Sequence, residues 1–216
     1  MTERKGHGRP VGTGEVTLAG STMSCPCHVC TLYRDVEEQY ALFVPFVKEG
    51  IKAGERVVSF VAPDEHEERV NRLWQAGLDV DRLERQGQLV ITPWDQFYLS
   101  QGYFDVDAML ALAQAALDEG LRQGFPRTRG WANMEWALEE APGVEHLAIY
   151  ESRFNDILSL CGDGAVCAYD VSRFSADVLE DVTRAHPQLC AGGWAGSHPL
   201  YEPPETLVPE LESRLS

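Results

Sequence analysis

Basic residues are scarce in this chain. Its 216 residues include 18 lysines and arginines against 34 aspartates and glutamates, a formal charge of −16. Such a surface repels a phosphate backbone and anionic lipid, and no Lys/Arg stripe offsets it locally, so direct nucleic-acid or membrane binding is disfavoured. No stretch approaches the roughly 20 apolar residues that cross a bilayer. Residues 1–22 lack an apolar run long enough for a secretion signal. The expected setting is the cytoplasm, where the six cysteines are reduced thiols rather than a disulfide framework. Gly-x-Ser-x-Gly is absent, and no Ser/His/Asp order or paired-carboxylate spacing stands out, so hydrolytic chemistry is not indicated.

What is present is a regular alternation of short apolar runs and amphipathic stretches. Residues 27–33, 56–62, 88–92, 130–138 and 165–169 read as strands, and a last short strand lies near 190–194. Between them, Tyr40, Phe43, Phe46, Val47 and Ile51 recur at three- and four-residue spacing, as do Val70, Leu73 and Trp74, then Met109, Leu110, Ala113 and Leu117. Those spacings define the buried faces of helices. Pro45 falls inside the first helix and predicts a kink or a late start. Strand–helix alternation implies an α/β domain of three layers, a mainly parallel sheet flanked by helices on both faces. Its expected extent is residues 23–205, with a flexible tail over 1–22 and a loose acidic tail over 206–216. Ligands in such sheets sit beyond the carboxyl ends of the strands.

A nucleotide-binding version of this layout would follow its first strand with a glycine-rich loop ending in Lys and Ser or Thr. The corresponding stretch is Tyr33-Arg34-Asp35-Val36-Glu37-Glu38. It has no glycine to let backbone amides wrap a phosphate, and its three carboxylates would repel one. NTP hydrolysis is therefore not expected, and the chain reads as a non-enzyme.

Several stretches together resemble a known family. They are His28-Val29-Cys30-Thr31-Leu32-Tyr33, Pro45 to Gly50 with Gly54-Glu55, Gly87-Gln88-Leu89, and Tyr98 to Gly102 with Phe104-Asp105. Arg129 with Met134-Glu135-Trp136-Ala137-Leu138, Tyr150-Glu151 with Asn155, Cys167-Ala168-Tyr169, and His186-Pro187 complete the set. In order and spacing they are similar to the MEDS domain, the sensory domain named from methanogens, methylotrophs and the dichloromethane regulator DcmR. The resemblance covers about residues 25–205. It implies a degenerate RecA/KaiC-like fold without a P-loop, and a role in sensing small molecules, including hydrocarbon derivatives, in signalling and transcription regulation. Two departures stand out. Asn133 occupies a position where the family pattern suggests an acidic residue. DcmR-like proteins also carry a helix-turn-helix segment, for which these 216 residues leave no room, so a stand-alone regulatory subunit is expected.

The candidate ligand-binding residues are His28, Tyr33, Trp94, Tyr98, Phe104, Arg129, Glu135, Tyr150 and Glu151. His28 is either a buried imidazole satisfying a carbonyl or a switchable pocket donor. Tyr33 ends the first strand and faces the expected crevice. The aromatics from Trp94 to Phe104 are suited to closing over an apolar ligand. Arg129 would grip a carboxylate or pair with a surface acid. Tyr150 belongs to a helical apolar face, and Glu151 beside it is either a solvated charge or a partner for Arg129 or His28. Cys25, Cys27, His28 and Cys30 form a separate candidate: three thiolates and an imidazole match a structural zinc set. Side-chain alternation along one strand puts Cys27 and Cys30 on opposite faces, so a shared metal requires a turn at Pro26. A redox thiol pair and plain buried residues are the other readings of that cluster. The expected partners are a small-molecule ligand and a signalling protein such as a kinase or anti-sigma factor; the cofactor and the oligomeric state, including a homo-oligomer, are left open.

Overall fold

A computed structural model describes residues 14–215. Its centre is a seven-stranded sheet. Nine strands and seven α-helices follow in chain order: β1 Glu15–Leu18, β2 Ser21–Ser24, β3 Cys27–Tyr33, α1 Val36–Lys52, β4 Arg56–Val61, α2 His66–Gln75, α3 Val80–Arg85, β5 Leu89–Pro93, α4 Val106–Arg122, β6 Thr128–Asn133, α5 Leu147–Cys161, β7 Gly164–Asp170, α6 Ala176–Ala185, β8 Gln188–Ala191, β9 Trp194–Ser197 and α7 Pro204–Leu215. The sheet order is β5-β4-β6-β7-β3-β8-β9, parallel throughout except for the β8–β9 edge. This is the three-layer α/β arrangement expected from the alternation. Among the described residues, no helix is long and apolar enough to cross a membrane.

Side-chain alternation along the central strands divides the interior in two. Cys27, Val29, Tyr33, Trp131, Val166 and Ala168 face a core closed by α1, α2, α3 and the β1–β2 hairpin. Cys30, Ala132, Ala165, Cys167 and Tyr169 face a second core closed by α4, α5, α6 and α7. Strands with apolar residues on both faces are what a doubly covered parallel sheet requires.

The structure departs from the sequence reading at both ends. Residues 15–24 are not a tail: β1 and β2 pair antiparallel across Ala19 and Gly20, both at positive φ. Two such residues form a hairpin turn whose twist suits the flanking strands. Val16 and Leu18 are buried against the first core. With Val16, Leu18 and Met23 as its only large apolar residues among threonines, serines and a glutamate, the segment carries too little pattern to betray its burial. Residues 1–13, also assigned to the tail, lie outside the described residues. The acidic stretch after 206 is likewise ordered. It lies within α7, where Leu207 and Leu211, one helical turn apart, are buried against the second core. Arg184 reaches Glu202 and Glu210 to hold it.

Smaller differences have equally local causes. β6 stops at Asn133, and Glu135–Leu138 form a 3-10 turn rather than continuing the strand. The expected strand at 190–194 is the inner half of a β8–β9 hairpin turning at Gly192 and Gly193. α1 runs unbroken through Pro45. Pro45 and Ala41, the residue one turn earlier whose carbonyl loses its donor, are both exposed, so water can satisfy that carbonyl. Trp74 is exposed; Leu73 and Arg69 take the buried side of α2.

Leu207 is fully buried. Leu207→Ala is expected to cost roughly 2–5 kcal/mol, read as a lowered urea unfolding midpoint. An unchanged midpoint would mean that α7 adds nothing to the stability of the domain.

Candidate functional site

Two polar constellations are buried on opposite faces of the sheet. The first lies at the carboxyl ends of the strands. β3 continues into α1 on one face, and its neighbour β7 continues into α6 on the other, which opens the crevice of a topological switch point. Asp35 caps α1 there by accepting from the Glu38 amide. The Tyr33 hydroxyl donates to Glu135 Oε1, and Glu135 Oε2 is buried with no hydrogen-bond partner. Tyr33 and Glu135 are thus brought together as the strand ends suggested. Behind them, the fully buried Arg69 donates to Ser59 Oγ at 2.9 Å, Gln39 Oε1 at 3.2 Å and Asn133 Oδ1 at 3.1 Å. It also stacks over Phe43 at 4.3 Å. Asn133 Oδ1 accepts from Trp131 Nε1 as well. Asparagine at this position therefore gives the guanidinium a neutral acceptor where an acidic residue would have given an ion pair. Arg69 had no sequence signal, because it sits among charged neighbours on a polar-looking helix.

Burial pushes the Glu135 carboxyl above its ordinary range, against the pull of the Tyr33 hydrogen bond. Burial and the nearby Glu135 push the Tyr33 hydroxyl up.

The second constellation lies beneath the sheet in the α4–α7 core. His28 on β3, Cys167 and Tyr169 on β7, Glu151 and Asn155 on α5, and His186 just after α6 converge, and all six are buried. Glu151 Oε2 lies 3.2 Å from His28 Nε2, 3.4 Å from His186 Nε2 and 3.4 Å from Cys167 Sγ. Tyr169 Oη donates to the other carboxylate oxygen at 2.6 Å. Asn155 Nδ2 donates to the carbonyls of Ser152 and Ala185, which turns its Oδ1 to His28 Nδ1 at 3.0 Å. His186 Nδ1 meets the Val182 carbonyl at 2.6 Å. Burial, reinforced by His28, lowers His186 to about 3, which makes it a neutral imidazole. Burial alone would raise Glu151; the histidines and Tyr169 outweigh it and hold the carboxylate form. Burial and Glu151 keep the Cys167 thiol protonated. The donor atoms of His28, Glu151, Cys167 and His186 all lie within 4.8 Å of one another and could hold a metal ion.

Next to this set is a cavity of about 50 Å³. Its walls include Phe60, Phe97, Tyr98, Ala113, Tyr150, Phe154 and Cys167. The aromatic segment covers it in a continuous ladder. Phe97 stacks on Phe60, Tyr98 on Trp136, and Phe104 packs on Trp136. Tyr150 stacks on Phe154, whose ring meets His28 edge-on at 5.2 Å. Tyr98, Phe104, Tyr150, Glu151 and His28 therefore belong to one neighbourhood, with Trp94 packed at its margin.

Two expectations fail. Arg129 is not at the crevice. It lies at the amino end of β6, buried, paired with Glu55 and Glu49, and bound to the Glu15 carbonyl. Its pairing with β7 begins at Gly164, the first residue of that strand, which fixes it at the far edge of the sheet. The set Cys25, Cys27, His28 and Cys30 does not converge either. Cys25 and Cys27, with sulfurs 3.7 Å apart, belong to the first core, whereas Cys30 belongs to the second and His28 points the same way. The alternation of β3 separates them, and the bend at Cys25-Pro26 does not undo it. The residues missed were Cys167, Tyr169, His186 and Asn155. All four fall within matched stretches of the sequence, but they are distant in the chain, and only strand pairing and helix packing reveal a common centre.

Fold and site together define a RecA/KaiC-like α/β domain with a buried polar centre beside an apolar cavity. A KaiC-like protein of known structure from Pyrococcus horikoshii OT3 shares this fold, with a TM-score of 0.56 at 12% identity over 77% of this chain and 71% of its own. The chain belongs to the MEDS family, the methanogen/methylotroph, DcmR sensory domain, whose model matches residues 27–187. It is 24% identical over 170 residues to the transcriptional repressor DcmR of Methylorubrum extorquens, a match covering 78% of this chain. The matched region spans about three fifths of that relative's length, 61%. Family and homology place the chain in a sensory or regulatory role.

The raised Glu135 carboxyl has a stability consequence. Between the ordinary carboxylate pKa and the higher folded value, the folded state binds more protons than the unfolded state. Stability contributed at this site therefore rises as pH falls from neutral towards about 4.5. Glu135→Gln cannot titrate, so the midpoint difference, variant minus parent, is expected to shrink as pH falls from 7 to 5. Parallel thermal melts check this, and a pH-independent difference would contradict it.

Proposed function

We propose that this domain is a non-catalytic small-molecule sensor. Its ligand is a compact apolar or weakly polar molecule of the hydrocarbon-derivative class, and the observation that carries this reading is the apolar cavity under the aromatic segment. About 10–15 Å³ houses one water-sized group, so a space of about 50 Å³ suits roughly three to five heavy atoms. Occupation would order Phe97 and Tyr98 against Phe60 and Trp136. It would thereby bias the surface formed by the Trp94–Phe104 segment towards or away from a partner. A lining of side chains that leaves this space argues against a pure interaction module with a filled, vestigial pocket.

The output fits a regulatory subunit acting on a signalling protein in the cytoplasm. A net charge of −16 disfavours direct contact with nucleic acid, so any effect on transcription passes through a partner or another segment. The non-enzymatic reading rests on the β3–α1 turn, where carboxylates occupy the place at which a nucleotide phosphate would need backbone amides.

One- to three-carbon haloalkanes and alcohols, screened by thermal shift and by chemical-shift perturbation, test the reading. At least one is expected to raise the melting temperature and to perturb Tyr98, Tyr150 and Phe154. Ala113→Leu, which fills the cavity, is expected to abolish that response while the far-ultraviolet circular dichroism stays unchanged. If no compound in the series shifts the parent protein, or if the Leu variant responds equally, the cavity is not the ligand site.

A further inference from the structure

We propose that His28, Glu151, Cys167 and His186 form a binding site for a single divalent transition metal, with zinc the ion of best fit. The site shares only His28 with the Cys25, Cys27, His28 and Cys30 candidate and stands independently of the sensing role.

Geometry is the first support. Tetrahedral zinc with bonds of about 2.0–2.3 Å to nitrogen, oxygen and sulfur has ligand–ligand edges of roughly 3.3–3.7 Å. Glu151 Oε2 lies 3.2 Å from His28 Nε2 and 3.4 Å from each of His186 Nε2 and Cys167 Sγ. The fourth edge, His28 Nε2 to Cys167 Sγ, is 3.4 Å. Four of the six edges thus match a tetrahedral shell, and the two that involve His186 with His28 and with Cys167 lie within 4.8 Å.

Orientation is the second. A metal-bound histidine typically donates its other ring N–H to a carbonyl or carboxylate, which fixes the tautomer. His28 Nδ1 meets the Asn155 amide oxygen and His186 Nδ1 meets the Val182 carbonyl, at 3.0 and 2.6 Å. Both acceptors force Nδ1–H, so in the neutral rings both Nε2 lone pairs face inward. Tyr169 occupies Glu151 Oε1 and leaves Oε2 for the shared centre. His186 Nε2 is fully buried and has no hydrogen-bond partner. A buried nitrogen lone pair facing a carboxylate oxygen at 3.4 Å is costly, and a cation between them removes the cost.

Charge and donor type complete the case. One carboxylate and one thiolate carry two negative charges, which a dication neutralises, so the occupied site buries no net charge. Binding forms four coordinate bonds and releases the Cys167 thiol proton to solvent. The set of two imidazoles, one thiolate and one carboxylate suits zinc or cobalt rather than magnesium or calcium. Cys167 also lines the apolar cavity, so a metal held there would border that space.

Titration of the full chain with Co²⁺, after extraction of metal with a chelator, provides the test. The expected result is one equivalent bound, with intense visible d–d bands of tetrahedral cobalt and a near-ultraviolet sulfur-to-cobalt charge-transfer band. Zn²⁺ should bleach both. Cys167→Ser should lose the charge-transfer band, and His186→Gln should weaken binding by at least about tenfold. A triple Cys25/Cys27/Cys30→Ser variant should keep the full spectrum, which preserves the test if either site variant fails to fold. The absence of tetrahedral bands in the parent, or a charge-transfer band that disappears in the triple variant, would overturn the proposal. The cobalt spectrum needs no organic ligand, so this reading and the sensory one fail separately.

Discussion

The core under α4–α7 is organised around one buried carboxylate. Glu151 is wholly removed from solvent, and an isolated carboxylate there would cost several kcal/mol. Tyr169 and Cys167 from β7 donate to its two oxygens, and His28 from β3 and His186 from the end of α6 lie against it. The central strand pair and two helices on one face are thus bound to a single carboxylate. Asn155 extends the tie by joining α5 to the Ala185 carbonyl while holding the His28 ring. Displacing β7 would strip the buried carboxylate of the Tyr169 and Cys167 hydrogen bonds. That couples packing to polar geometry far more tightly than apolar contacts would.

The opposite face answers a different constraint. Arg69 is buried without a carboxylate among its hydrogen-bond partners, held by neutral acceptors and by the rings of Phe43 and Tyr40. Tyr33 and Glu135 close the strand ends above it. Where a nucleotide-binding relative of this layout would direct phosphate chemistry, this chain has an internal hydrogen-bond network. The apolar cavity lies through the sheet on the α4–α5 side, lined by aromatics and bordering the Glu151 centre. A shared architecture does not fix the chemistry, because sites reside in side chains rather than in the fold.

Much of the layout was legible because periodicity reports burial. The parallel strands are apolar on both faces, and the long helices α1 and α4 carry clear stripes. Failures came where burial leaves little pattern. The β1–β2 hairpin buries only Val16, Leu18 and Met23. α7 hides Leu207 and Leu211 within an acidic run. Tyr33 was readable at a strand end, and Glu151 as a partner of His28. Arg129 was misplaced because a guanidinium at a strand terminus looks the same at either edge of a sheet. Pairing register alone showed that it meets Glu55 at the amino end.

The sequence by itself determined the layer class, the acidic surface, the lack of a glycine-rich turn after the first strand and the family resemblance, because composition and local spacing encode each of these. Only the tertiary structure decided which polar residues share a centre. His28 and Cys27 are adjacent in the chain yet fall in different cores, since neighbouring side chains on a strand point to opposite faces. His28 and His186 are 158 positions apart, yet their rings lie 3.9 Å from one another, since β3 pairs with β8 immediately after that histidine. Chain proximity follows from covalent order; convergence of donors follows from the order of strands in the sheet, which no local pattern specifies.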